Sequence, residues 1–433
     1  MTTPAPAPHT GPAFDALQGL SVGDALGAQF FVPETARAHF AAGTVPSGPW
    51  PWTDDTEMAC SVYAAQTERG AIDSYDLTHS FAHRHDFDRG YGPAANRLLR
   101  LIREGGDARR LAAELFDGQG SFGNGAAMRV APLGAAHAED PAAVVRIAAD
   151  TAVITHTHPD AVDGTIAVAV AAAHAVRGRT EPLRPEPFLR AVAALTPYGP
   201  VRDGLHQAER LLDRSDAREV AAVLGNGSRT SALDTVPFAL WCAARWLDDY
   251  PTAVRSAIGA GGDMDTVAAI TGGVVAARTG TAGIPAAWLD AREPLPTWAF
   301  TVPGSIPAPL PHLTRMRLPR PCSVPDRMYF PEEQWNRYRA GYRAARWVAR
   351  AEEGVLHLHF AVSGDEVAAI RVVPSGSGQL AVSAEVEAHP SHYNGARWST
   401  SLRATVMELE GRLQTRGPSR QAPGEGPSGG RTG

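Results

Sequence analysis

The sequence predicts a mainly α protein: a closely packed helical domain followed by a small α+β appendage. Three observations carry this. From about residue 12 to 290, apolar residues recur at helical spacing in segment after segment, and few stretches alternate strictly. A proline-rich interval then breaks the pattern, with nine prolines between residues 294 and 325. Beyond it, short segments alternate apolar and polar residues as paired strands do.

Taken in order, residues 1–11 form a Pro/Ala-rich arm expected to be disordered. The helical domain is assigned to residues 12–293. Its helices include PAAVVRIAADTAVI, PDAVDGTIAVAVAAAHAV, GLHQAERLLDR and DTVPFALWCAARWL, which start after Pro, Asp or Ser and are separated by breaks containing Gly or Pro. Abundant Ala predicts close approach of these helices. Residues 294–325 read as an extended linker or strap. The appendage is assigned to residues 326–415: PEEQWNRYRAGYRAARWVAR as one amphipathic helix, VLHLHFAVS, EVAAIRVVP and QLAVSAEVEAH as three antiparallel strands, and WSTSLRATVMELEGRL as a closing helix. His357 and His359 alternate onto the exposed face of the first strand. Residues 416–433 are a Gly/Pro/Ser/Arg-rich tail expected to be disordered.

At 433 residues the chain can bury an ample core without a disulfide or metal staple. Its formal charge of −6 argues against a nucleic-acid binder. All 40 basic residues are arginine. The absence of lysine excludes a Walker A phosphate loop, a Schiff-base lysine and a kinase lysine. No G-x-S-x-G elbow supports a serine hydrolase. Cys60, Cys242 and Cys322 are far apart and odd in number, which argues against a disulfide framework or a Cys-rich zinc site and fits a reducing cytoplasm. The first residues carry no basic or apolar region of a secretory signal. No run reaches the roughly 18 apolar residues of a membrane span; Ala161 to Val176 comes nearest but contains Asp163 and His174.

Acidic and Gly-rich motifs sit at the breaks between helices. In WTDDTEM, Thr53, Asp54 and Asp55 are adjacent oxygen donors ahead of a helix. In GAGGDMDTVAAITGGVVA, Asp263, Asp265 and Thr266 again precede a helix, after a Gly-rich turn. The plain alternative is an N-cap, for which one Asp suffices. Two clusters of the same local design exceed that need. Hard oxygen donors suit Mg²⁺ or Mn²⁺ rather than zinc. Converging carboxylates repel one another, so a pair of divalent ions is the economical explanation. GLSVGDALGAQF is a small-residue helix, where Gly is costly unless something packs closely. GQGSFGNGAAMRVAPLG formally contains G-x-G-x-x-G but follows a helix, so it is no dinucleotide fingerprint; its backbone N–H groups can still face phosphates. THTHPDAVDG offers His156 and His158 near a helix start, where histidine is more often structural. His83 and His85, in SFAHRHDFDRGYG, read as a solvated polar loop.

These motifs, GDALGA, WTDDTEM, RGYG, SFGNGAAMRVAPLG, THTHPDA and GAGGDMDTVAAITGG, resemble in order and spacing the ADP-ribosylglycohydrolases, including the dinitrogenase reductase-activating glycohydrolase. The resemblance covers roughly residues 12–290. It implies a compact all-helical fold and a binuclear Mg²⁺ or Mn²⁺ centre, with Thr53, Asp54, Asp55, Asp263, Asp265 and Thr266 as metal residues. It implies that Ser121, Phe122, Gly123, Asn124 and Gly125 hold the ADP-ribose diphosphate and ribose, that His156 lies beside the ligand, and that Asp88, next to RGYG, sits near the substrate. Asp54, Asp55 and Asp265 are assigned the catalytic work, Asp54 or Asp55 accepting a water proton. The implied substrate is an ADP-ribosylated protein side chain or a small-molecule conjugate. Phe31 stands where several members carry a glutamate; Glu34 and Asp88 are candidate replacements. Two other readings remain open: an ADP-ribose or nucleotide sensor without turnover, favoured by Phe31, and a metal-dependent phosphoesterase.

Overall fold

The computed structural model describes residues 10–32, 38–40, 42–69, 72–300, 320–322, 329–339, 342–344, 347–360, 366–375 and 378–386. The helical part is built around two helices, α1 (Pro12–Ala28) and α6 (Met264–Thr279). Both are rich in small and apolar residues, and residues 16–27 and 266–277 are buried without interruption. Around them lie α2 (Asp54–Arg69), α3 (Ala131–Ala136), α4 (Pro159–Arg177) and α5 (Ala232–Arg245). Further helices, among them Ser74–Arg84, Pro93–Arg103, Pro141–Ala152, Pro185–Leu195, Pro200–Arg210 and Tyr250–Gly259, complete the helical body.

The helix starts follow the local code. Pro12, Pro93, Pro141, Pro159, Pro185 and Pro200 begin helices, where a missing N–H costs nothing. Asp73, Asp140, Ser231 and Asp249 cap helices by accepting backbone N–H bonds.

α1 and α6 run antiparallel in backbone contact. A Cβ on Gly19 would overlap Gly272 O, one on Gly23 would overlap Ala268 O, and one on Gly27 would stand 2.6 Å from Asp265 Cα. The glycine stripe therefore serves close packing, which offsets its intrinsic helix cost of about 1 kcal/mol per residue.

The C-terminal part is an antiparallel sheet in the order β1-β7-β6-β5-β4-β3, with β2 also pairing β7. The strands are β1 (Arg320–Cys322), β2 (Tyr329–Pro331), β3 (Tyr342–Ala344), β4 (Trp347–Glu352), β5 (Val355–Phe360), β6 (Glu366–Ser375) and β7 (Gly378–Val386). Leu356, Leu358, Ile370 and Val372 are buried, so alternation along β5 sends His357 to the other face. The segment read as one amphipathic helix is divided: α7 covers Glu332–Arg339, and β3 and β4 follow. Helical periodicity over so short a stretch is ambiguous, and pairing of Trp347–Glu352 with Val355–Phe360 decides it in favour of strands. The expected closing helix, most of the arm and the tail lie outside the described residues.

Candidate active site and metal centre

The close contact of α1 and α6 brings Asp24 beside Asp265, two residues 241 apart in sequence. Asp24 is fully buried. Its Oδ2 accepts from Thr53 N (2.9 Å), Thr56 N (3.1 Å) and Thr56 Oγ1 (2.5 Å), and its Oδ1 accepts from Thr53 Oγ1 (2.8 Å). Those four bonds fasten the start of α2 to α1 and set Asp55 into the same space. One oxygen each from Asp24, Asp55 and Asp265 all lie within 4.8 Å of one another.

Asp55 Oδ2 accepts from Thr53 Oγ1 (3.1 Å) and Thr266 Oγ1 (3.4 Å), while Asp55 Oδ1 is buried with no hydrogen-bond partner. Asp265 Oδ1 accepts from Thr266 N (2.8 Å). Asp263 is fixed at both ends: its N–H donates to Asn226 O (3.0 Å) and its Oδ2 accepts from Asn124 Nδ2 (2.7 Å). Asp54 is half-buried at the first residue of α2, facing the turn at Gly90.

Burial, then the neighbouring Asp24 and Asp265 charges, pushes Asp55 well above the usual carboxylate range. Burial followed by the Asp263 and Asp24 charges does the same to Asp265. Asp54 is pushed up to about 8 by burial and then the Asp24 charge. Burial raises Asp24 and Asp263, against their hydrogen bonds from Thr56 and Asn124. Glu57, one turn along α2, rises to about 7 through burial, although Tyr91 Oη donates to it (2.7 Å) and so does Asp86 N (3.1 Å). Buried like charges in contact are costly unless protonated or matched by cations. The all-oxygen donor set and the orphaned Asp55 Oδ1 fit a hard divalent cation.

Beside the carboxylates runs the glycine-rich loop. An antiparallel bridge pairs Gly123 with Ser231, Asn124 N donates to Thr230 O (3.1 Å), and Ala232 N donates to Phe122 O (3.0 Å). The Asn124 amide spans from Thr235 Oγ1 (3.0 Å) to Asp263, tying this loop to the acidic cluster. Gly120 has φ +76, and a Cβ there would overlap Thr157 Oγ1. His156 lies against the loop: a Cβ on Gly125 would come 3.0 Å from its Cε1, and one on Gly123 3.2 Å from its Nε2. Burial and then the Arg129 charge lower His156 to about 3, so its ring is neutral. Phe122 is partly exposed and packs on Phe116 and His158.

The tertiary structure thus gathers Thr53, Asp54, Asp55, Asp263, Asp265 and Thr266, and joins Ser121–Gly125 and His156 to them through Asn124. Asp88 is exposed in the turn Phe87–Arg89, where its N–H donates to Asp86 Oδ1; no described bond ties its carboxylate to the cluster. Phe31 is 49% exposed, and Glu34 lies outside the described residues. His83 and His85, read as solvated, are buried; His85 Nε2 bonds Asn96 Oδ1 (2.6 Å). Sequence reasoning did not assign Asp24, Thr56 or Glu57 to the site. The available signal was an aspartate between two glycines in the interior of a small-residue helix, where no cap needs it.

The chain matches the ADP-ribosylglycohydrolase family over residues 10–306. It belongs to that family. This glycohydrolase is 30% identical to human ADP-ribosylhydrolase ARH3 over 56% of its own length and 74% of the human protein. It is 26% identical to the ADP-ribosyl-[dinitrogen reductase] glycohydrolase of Rhodospirillum rubrum, over 64% of this chain and 89% of that one. A solved structure, an ADP-ribosylglycohydrolase-related protein complex, aligns with 29% identity over 65% of this chain and 92% of its own, at a TM-score of 0.45. The seven-stranded sheet of the glycohydrolase lies wholly beyond the family match.

Proposed function

We propose that the chain is a divalent-cation-dependent hydrolase that frees ADP-ribose from a protein side chain or a small acceptor by cleaving the glycosidic bond at the anomeric carbon. Hydrolytic removal of ADP-ribose is the family's activity. The buried convergence of Asp24, Asp55 and Asp265, with Asp55 Oδ1 unpartnered, carries the cation dependence. Two Mg²⁺ or Mn²⁺ ions suit this donor set, held by Thr53, Asp54, Asp55, Asp263, Asp265 and Thr266, with Asp24 orienting Thr53. When bound, such ions polarise the reacting water and ribose oxygens.

The chain's own groups divide the remaining work. Ser121–Gly125 present backbone N–H groups to the diphosphate, and Asn124 keeps that loop in register with Asp263. Neutral His156 lines the ribose side of the loop, and Asp88 stands at the outer edge of the substrate. Asp54, half-buried and ionised once cations balance the cluster, would take the proton of the attacking water on its carboxylate and pass it to the departing acceptor atom. Asp55 and Asp265 supply negative charge against the oxocarbenium-like charge that builds as the bond breaks.

The test is release of free ADP-ribose from arginine- and serine-linked conjugates with Mg²⁺ or Mn²⁺. Full activity in both Asp54→Ala and Asp265→Ala, or no release from any conjugate, sinks the proposal. Exposed Phe31 favours a second reading, an ADP-ribose sensor; tight binding by calorimetry without turnover selects it. Released phosphate would instead indicate a phosphoesterase. No described helix is long and apolar enough to cross a membrane. A cytoplasmic location belongs to the same proposal and accords with free, buried Cys60 and Cys242.

A further inference from the structure

Arg129 follows the glycine-rich loop and is only 1% exposed, yet no carboxylate among the described residues pairs with it. Its guanidinium lies over the Phe81 ring (4.3 Å) and approaches Met58 Sδ (3.4 Å). Its Nη2 donates to Thr151 O (3.0 Å) and to Thr155 Oγ1 (3.0 Å). Thr155 Oγ1 stands 2.7 Å from His156 Nδ1. A buried arginine without a counter-ion is expensive, so its retention calls for a reason beyond packing.

We propose that Arg129 is a positioning residue: through Thr155 it fixes His156 in the tautomer that carries its proton on Nε2 and presents that N–H to a ligand oxygen at the glycine-rich loop. The reasoning is proton counting. Thr155 Oγ1 takes the Arg129 N–H on one lone pair and has one proton to give, and in the proposed arrangement that proton goes to His156 Nδ1, 2.7 Å away. Nδ1 is then an acceptor, and the neutral ring carries its proton on Nε2. Nε2 is the atom that lies against Gly123 and Gly125, where any Cβ would crowd it. The two glycines and Arg129 thus serve one purpose from opposite sides of the ring. The ligand role rests on the ADP-ribose reading; the tautomer does not.

The test uses the full chain with ¹⁵N-labelled histidine. Long-range ¹H–¹⁵N spectra of the ligand-free protein should show His156 as Nε2–H. Thr155→Val, which keeps the shape and removes the hydroxyl, should mix the tautomers and weaken ADP-ribose binding about tenfold; Thr155→Ser should restore both. Arg129→Lys should give an intermediate pattern. An Nδ1–H pattern in the parent protein, or an unchanged tautomer in Thr155→Val, overturns the proposal. Loss of the tautomer without any change in ADP-ribose affinity overturns the donor role. A fixed Nε2–H tautomer that Thr155→Val scrambles, in a protein that binds no ADP-ribose, supports the positioning and fails the functional reading instead.

Discussion

At the residue scale, the acidic cluster depends on threonines as much as on aspartates. Thr56 is fully buried and gives Asp24 two of its four bonds. Thr56→Val should weaken Mn²⁺ binding about 10- to 100-fold, measured by calorimetry; unchanged affinity would show that Asp24 needs no such support. The cluster also sets a pH dependence. Asp54 and Glu57 have folded values of about 8 and 7, above those of the unfolded chain. The folded state therefore binds the extra protons, and cation-free protein should lose thermal stability as pH rises from about 4 to about 8. His156 acts in the opposite direction: lowered to about 3, it stays neutral while the unfolded chain protonates below about pH 6.5, which offsets part of the stability that Asp54 and Glu57 gain as pH falls. Melting curves in chelator check this decline, and Mg²⁺ or Mn²⁺ should flatten it. Asp54, Asp55, Asp263 and Asp265 were legible because each pair is nearly adjacent in sequence. Asp24 was not, because its partners Thr53 and Thr56 lie 29 and 32 residues away.

At the element scale, the glycine stripe of α1 decides how close the two acidic motifs come. Gly23→Ala gains about 1 kcal/mol of helix propensity. Its Cβ, however, would overlap the carbonyl of Ala268, a backbone atom with little freedom to move. The overlap should cost more than that gain, for a net loss of about 1–3 kcal/mol, and should push Asp24 away from Asp265. A lower melting temperature together with weaker cation binding is the expected outcome; an unchanged protein would show that the helices can part freely. Gly125→Ala differs, since its Cβ would meet side chains alone, the His156 ring at 3.0 Å and Met128 Sδ at 4.0 Å. Little change in melting temperature and about tenfold weaker ADP-ribose binding are expected from titration. The cost of glycine inside α1 made close packing legible, whereas its partner could not be read, because small residues recur in many segments. In the appendage, alternation identified β5, β6 and β7. β3 and β4 were hidden because arginine- and aromatic-rich sequence suits a helix or a strand until a neighbour supplies hydrogen bonds.

At the scale of the whole molecule, the family match ends at residue 306, after the 3₁₀ turn Thr297–Phe300 that covers Phe14 and Tyr63. We propose that residues 12–293 are the catalytic unit, that 294–325 are a Pro-rich linker or strap, and that 326–415 form a separate small domain. A chain ending at residue 306 should then unfold cooperatively and keep its cation-induced stabilisation; calorimetry decides, and loss of both would make the appendage part of the catalytic fold. The sequence by itself determined the helical class, the helix starts, the composition that excludes lysine chemistry, and the two Asp/Thr clusters. All of these are local patterns, fixed by spacing along a few turns and by side-chain chemistry. Only the tertiary structure decided that Asp24 joins the cluster, that Asn124 links it to the glycine-rich loop, and that His156 is neutral beneath that loop. Each depends on which surfaces are close enough to exclude water, and burial and long-range hydrogen bonds exist only once α1 and α6 have met.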